Sequence, residues 1–402
     1  MKTDRDVVIV SMGRSAIGDF GGTLKDVRAH QLGAQVIKGV LEKVPQVDTA
    51  TLDDVILGDC VQCPDEANTA RTTALAAGIP HEVPAVTIQR QCSSAMEAMS
   101  QGANKIRLGD ADLVLTGGVE SMSNAFYCLP AARWGARLQH GKMMDSMWEL
   151  LYSGSALLDP PGFIMGQTAE NLAQKYDISR QEQDFIAVRS HNNAETAITS
   201  GKFKDEIIPI TITGRKGKIT IFDTDEHIRP GVTEADLGKL RPVFAKDGTV
   251  TAGNASGLND GAAIVLLASR AKAQELGLPI LARVHSSAVA GCDPKLMGWG
   301  PVPSTLKLLK KTGVKISEIE LIELNEAFAA QYLACERGLD LNREITNVNG
   351  SGVGLGHPVG CTGARIVISL LQEMKRRKLN LGLATLCVGG GMGMSMLIEN
   401  ES

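Results

Sequence analysis

Short apolar runs and longer amphipathic stretches take turns along most of this chain. The runs at 7–10, 54–57 and 113–116 are brief and apolar and read as strands. Between them, 32–44 carries Leu32, Val36, Val40 and Leu41 on one helix face, and 69–77 has the same period. Val86-Thr87-Ile88 is β-branched, and after it Ala95, Met96, Ala98, Met99, Ala103 and Ile106 recur close to the i, i+3, i+4 spacing of a helix. The last third renews the alternation, with helices at 306–311, 328–337 and 364–374 and strands at 320–323, 345–348 and 384–388. Alternation of this kind predicts a layered α/β fold.

Two segments resemble each other. Asp112-Leu-Val-Leu-Thr-Gly-Gly and Leu383-Ala-Thr-Leu-Cys-Val-Gly-Gly-Gly are each an apolar strand ending in glycines, downstream of a helix that begins with Cys, Ser or Thr. The repeat points to two similar α/β halves. The middle differs, having few strong strands and local basic spots such as Gly214-Arg-Lys-Gly-Lys218. A helix is expected from Met165, capped through Thr168 and Glu170-Asn171, and another over 181–200. A strongly apolar strand at 262–267 closes this part. The division read from these shifts is 1–121 with 258–280 as one half, 122–257 as an inserted loop domain expected to carry ligand contacts, and 281–402 as the second half.

Composition narrows the picture. The 402 residues are 44% hydrophobic and 21% charged, an ordinary balance for a globular chain with a large core. The net charge of −4 gives no reason to expect nucleic acid or an acidic membrane as partner. The eight cysteines are too few for a disulfide framework at this length, and Cys60-Val-Gln-Cys63 lacks the second CxxC of a zinc site. Cys60 and Cys63 read as two unlinked thiols at a strand end, and no metal is expected. The charged opening Met1-Lys-Thr-Asp-Arg-Asp passes into a strand without an apolar signal core. The expected compartment is therefore cytoplasmic and reducing.

Candidate chemistry starts at Gln91-Cys92-Ser93-Ser94, where a strand becomes a helix. Unpaired amides and the positive end of the helix dipole favour thiolate over thiol there, so Cys92 reads as a nucleophile. Near the C-terminus, Asn347-Val-Asn-Gly-Ser-Gly-Val-Gly-Leu-Gly-His357-Pro-Val-Gly-Cys361 lies between a strand and a helix, but no register in it gives GxGxxG. A nicotinamide cofactor is therefore not expected. Asn325-Glu326-Ala327-Phe328 and Cys387-Val-Gly389-Gly-Gly-Met-Gly393 complete the unusual segments.

Taken in order, Cys92-Ser-Ser, Thr251-Ala-Gly-Asn-Ala-Ser256-Gly, Asn325-Glu-Ala-Phe, Gly356-His357-Pro and Cys387-Xaa-Gly-Gly-Gly-Met-Gly resemble the signatures of the thiolase family, from end to end of the chain. The resemblance implies the thiolase fold, with two βαβαβαββ halves in an α/β/α/β/α arrangement. It implies acyl transfer between CoA thioesters, either 2 acetyl-CoA to acetoacetyl-CoA and CoA or thiolysis of a 3-ketoacyl-CoA. Cys92 would carry the acyl group and Cys387 would take the α-proton. His357 would activate Cys92 and donate to the thioester oxygen, and Asn325 would hold a water donating to the same oxygen. The amides of Cys92 and Gly389 would form a second oxyanion hole. Arg229 would lie near the adenine and phosphate end of CoA, and Ser256 against the pantetheine. Met165, Ala327 and Phe328 would line the arm and the thioester pocket. CoA is then a substrate and no cofactor is implied, and the family is commonly homotetrameric or homodimeric.

Cys361, four residues after His357, stands where the family usually has a small residue and reads as packing. Two departures bear on binding. Ile164 replaces a histidine of many short-chain members, and Asp236 replaces a serine in a CoA-contacting turn. The first weakens a strict acetoacetyl-CoA assignment and keeps open a broader 3-ketoacyl-CoA thiolase of fatty-acid degradation. A ketoacyl synthase would lack Cys387 and its glycines. A non-catalytic lipid-transfer relative would be expected to lose at least one of Cys92, Asn325, His357 and Cys387.

Overall fold

The computed structural model describes residues 2–138 and 140–402. Nine strands build its main sheet: β1 (Val7–Arg14), β2 (Asp54–Gly58), β3 (Ala85–Ile88), β4 (Leu113–Ser121), β5 (Asn259–Ser269), β6 (Ala282–Gly291), β7 (Leu321–Leu324), β8 (Leu381–Val388) and β9 (Met392–Asn400). A two-residue strand, Gly18–Asp19, pairs with the start of β5. The spatial order is β7-β8-β9-β6-β1-β5-β4-β2-β3. The eight main helices are α1 (Ala29–Glu42), α2 (Thr69–Ala76), α3 (Ser94–Leu108), α4 (Met165–Lys175), α5 (Arg180–Thr199), α6 (Pro301–Thr312), α7 (Ala329–Leu339) and α8 (Val359–Arg377).

The order resolves into one motif used twice. In the first half β1 and β4 flank β5 antiparallel, and β4, β2 and β3 run parallel. In the second, β6 and β8 flank β9 antiparallel, and β8 pairs with β7 in parallel. The halves meet where Val8 and Ile9 pair with Arg283 and Ala282. Strand alternation then sorts side chains into layers. Val7 and Ile9 face one way with Val265 and Leu267, and Val8 and Val10 face the other with Ile264 and Leu266.

The inner faces of the two halves of the sheet enclose α3 and α8, whose Met96, Met99, Ile106, Ile366, Val367 and Leu370 form one core with β1, β5, β8 and β9. Leu32, Val36 and Val40 of α1 cover the outer face of the first sheet. Leu308 of α6 and Tyr332 and Leu333 of α7 cover that of the second. The result is the expected five-layer α/β/α/β/α arrangement.

Local expectations fail in two places. No strand forms at 345–348. Thr346 makes a single parallel bridge to Ile322, and then Asn347 turns left-handed at φ 51°. Its side-chain amide replaces the ladder, accepting from Leu324 N at 2.9 Å and donating to Leu324 O at 2.7 Å. Nor does Thr168 cap α4. The capping position is Ile164, without a side-chain cap, and Thr168 Oγ1 donates to Met165 O at 2.6 Å. α5 has the reciprocal cap instead, between Ser179 and Glu182.

Between Met122 and Gly257 lie α4, α5 and two short hairpins, Tyr127–Cys128 with Met144–Asp145 and Ile210–Thr213 with Ile219–Phe222. Among the described residues no helix is long and apolar enough to cross a membrane. All eight cysteines are free thiols.

Candidate active site

Cys92 sits between β3 and α3, immediately before the capping residue Ser93. The turn is tight, with Gln91 at φ 44°. The amides of Gly389 and of Cys92 itself point at the sulfur and lower its pKa, but burial outweighs them and pushes the thiol up to about 11. The expectation of a resting thiolate at this helix start is thus corrected. Two amides do not compensate a sulfur anion for the water it loses, so Cys92 rests as a thiol and needs a base.

His357 enters from the other half, on the turn before α8, with its own amide donating to Asn259 Oδ1 at 2.8 Å. Its Nδ1 is 2.8 Å from Thr362 Oγ1, and that hydroxyl lies 2.9 Å from Pro358 O. The hydroxyl proton goes to the carbonyl, so Nδ1 carries the ring proton and donates to Thr362. Nε2 is left with a lone pair, buried and without a protein partner. Burial, seconded by the Arg365 guanidinium, depresses the imidazole pKa to about 3, so the ring is neutral at pH 7.

Asn325 follows β7 and is fully buried. Its Nδ2 is 3.5 Å from His357 Nδ1, and its Oδ1 has no protein partner. Cys387 ends β8, fully buried among Met165, Met297, Ala327 and Phe328. Burial lifts its thiol well above the ordinary range, and the neighbouring Cys92 adds to the lift. Gly389 follows in the turn to β9, where a Cβ would lie 2.4 Å from Ser153 Oγ. A side chain there would have to displace that hydroxyl.

Cys92 and His357 border a cavity of about 220 Å³ whose lining also includes Met165, Ser256, Ala327 and Phe328, whereas Cys387, Asn325 and Gly389 lie behind that lining. Its walls are mostly apolar, with Phe244 edge-on to Phe328 at 6.3 Å. Met165 also lines a second cavity of about 180 Å³ with Tyr152, Leu158 and Phe163. Arg229 is not brought to the cavity. It is exposed, and its amide donates to His191 Nδ1 at 3.2 Å. Ile164 does line the cavity. Asp236 accepts from Thr233 Oγ1 at 2.6 Å, capping a short helix on the surface. Cys361 is buried in the central core beside Met96, with its thiol pushed up to about 12 by burial.

Sequence reasoning missed Thr362, Asn259 and Met297. The threonine has a legible signal, since it falls in the first turn of the helix that His357 precedes. The other two are made relevant only by tertiary contact.

Residues 7–271 match the family model "Thiolase, N-terminal domain" and residues 278–400 match "Thiolase, C-terminal domain". An acetyl-CoA acetyltransferase of Pseudomonas aeruginosa is 49% identical, over 99% of this chain and 100% of that protein. A beta-ketothiolase of Cupriavidus necator is 48% identical, over 98% and 99%. Among solved structures, the Bacillus anthracis acetyl-CoA acetyltransferase superposes with a TM-score of 0.94 at 53% identity, covering 98% of each chain. Human mitochondrial 3-ketoacyl-CoA thiolase in complex with CoA gives 0.94 at 42%, covering 99% of each. The two-half fold and the matches from end to end agree: this chain belongs to the thiolase family and is an acyltransferase.

Proposed function

We propose that the chain interconverts two acetyl-CoA with acetoacetyl-CoA and CoA, and cleaves short 3-ketoacyl-CoAs with CoA, through an acyl group carried on Cys92. One observation carries this reading: the free Nε2 of a neutral His357 and the thiol of Cys92 border the same small apolar cavity.

In the first half-reaction His357 Nε2 takes the Cys92 proton as the sulfur attacks the thioester carbonyl. The Cys92–acyl bond forms, the bond to the CoA sulfur breaks, and that sulfur leaves with the proton from His357. The amides of Cys92 and Gly389 face the new acyl oxygen. In the second, Cys387 gives its proton to the now neutral His357 and as thiolate removes the α-proton of another acetyl-CoA, and the carbanion attacks the acyl carbon. Cys92 departs and recovers a proton, so none is gained or lost over the cycle. Asn325, with a water on its amide, and protonated His357 stabilise the thioester enolate.

CoA is a substrate in this scheme, with its pantetheine along Ser256 and Phe328 and its phosphates toward Arg229. Leu138, Leu157 and Leu158 are almost fully exposed and support assembly as a homotetramer or homodimer. The free thiols support a reducing compartment such as the cytoplasm.

The test is loss of acetoacetyl-CoA enolate absorbance on adding CoA. A catalysed loss that disappears in Cys92→Ala supports the reading, and no loss with the wild-type chain overturns it.

A further inference from the structure

We propose that Glu120 is a positioning residue: its buried carboxylate clasps backbone amides from two separate segments and so fixes the distance between Cys92 and His357. The proposal rests on the thiolase reading above, in which those two side chains exchange a proton.

Glu120 lies near the end of β4 and is fully buried. Its Oε2 accepts from Cys60 N at 3.1 Å and from Gly360 N at 2.7 Å, and its Oε1 accepts from Val61 N at 3.1 Å. Gly360 is in the first turn of α8, three residues after His357, where the helix amides have no carbonyl partner. The contact is close: a Cβ on Gly360 would lie 2.7 Å from Glu120 Oε2, and one on Gly118 would lie 2.1 Å from Gly360 O. The helix that His357 precedes therefore docks straight onto β4 with no side chain between.

The other arm leads to Cys92. The Cys60 thiol donates to Gln91 O at 3.1 Å, and the same carbonyl accepts from Ser94 Oγ at 2.6 Å. Gln91 is the left-handed residue immediately before Cys92. One carboxylate thus holds Cys60, which holds the strained peptide under Cys92, and also holds the helix end behind His357. The two reacting groups belong to different halves of the fold, so their spacing is not set by local chain geometry. A displacement of about 1 Å between reacting groups can cost on the order of 10²-fold in rate. Asp59, also buried, lies beside Glu120, and together with burial it raises the Glu120 pKa.

Two pairs of variants test this. Glu120→Gln keeps the shape but has one acceptor oxygen, and it turns an amide donor toward the clasped amides. Its kcat for acetoacetyl-CoA thiolysis should fall at least about tenfold with KM within about twofold. Asp59→Asn leaves all three clasp bonds in place and should keep kcat within about threefold of wild type. Cys60→Ala removes the link to Gln91 and should lower kcat severalfold, whereas Cys60→Ser, which still donates, should restore it. This second pair decides the matter if Glu120→Gln does not fold. The rate at which iodoacetamide alkylates Cys92 needs no acyl-CoA. It should fall in Glu120→Gln and Cys60→Ala, so it reads the clasp even where the thiolase reading itself fails. A Glu120→Gln enzyme with wild-type kcat and alkylation rate, or equal activities for Cys60→Ala and Cys60→Ser, overturns the proposal.

Discussion

Thr362 decides which nitrogen of His357 is free. By accepting from Nδ1 at 2.8 Å while donating to Pro358 O, it leaves Nε2 as the only basic position on the ring. Thr362→Val removes the acceptor and lets the ring proton sit on either nitrogen. We expect kcat to fall by about 10–10², below the full 10²–10⁴ of a general base, with KM little changed. Thr362→Ser keeps the hydroxyl and should remain close to wild type. Steady-state kinetics of the two variants check this, and equal losses would remove Thr362 from the mechanism.

Cys92 should become acylated. Mass spectrometry of the chain mixed with acetyl-CoA is expected to show one acetyl group on the peptide holding Cys92, and none in Cys92→Ala. An adduct on another peptide would reassign the nucleophile.

The cysteines that follow His357 should separate cleanly. Cys361 is packed against the central helices, away from the cavity, so Cys361→Ala should leave the rate nearly unchanged. Cys387→Ala removes the proposed α-proton base and should cost on the order of 10²–10⁴ in rate. Condensation and thiolysis rates of both variants decide it.

Acid should weaken the fold through His357. Its folded pKa of about 3 lies below the ordinary 6.5, so between those values the unfolded chain binds a proton that the folded one does not. Stability is fully present above pH 6.5 and falls as pH drops, by about 1.4 kcal/mol per unit, or roughly 2 kcal/mol at pH 5. His191, with a folded pKa of about 4, acts in the same direction. Urea unfolding at pH 7 and pH 5 should show a smaller acid loss for His357→Gln than for wild type. An equal loss would mean that His357 is protonated in the fold.

Chain length should be set by Met165. It borders both the catalytic cavity and the smaller one beyond, closing the first to long acyl groups. We expect kcat/KM to peak for 3-ketoacyl-CoAs of four to six carbons, with each methylene worth about 1–3 kcal/mol. Met165→Ala should join the two cavities and move the peak upward. A wild-type maximum at ten carbons or more would refute the short-chain reading.

The alternating pattern made the layers legible, because a buried strand and an amphipathic helix each leave a period in the sequence. The missing strand at 345–348 was not legible, since Ile345 and Val348 have the right composition and the side chain of Asn347 replaces the ladder. β6 was missed because Arg283, His285 and the serines at 286 and 287 dilute its apolar signal. At the site, residue types and their order pointed to the cavity. The state of Cys92 did not follow, because helix-end electrostatics can be read locally whereas desolvation depends on everything packed above the sulfur.

The repeated strand order has a geometric consequence. α3 and α8 precede equivalent strands of the repeated order, β4 and β8, and Cys92 lies just before one helix and His357 just before the other. The pair proposed to exchange a proton is thus split between the halves, one member from each. Neither half alone holds both Cys92 and His357. Any rotation of one half against the other is read out directly as a change in the gap that the proton must cross.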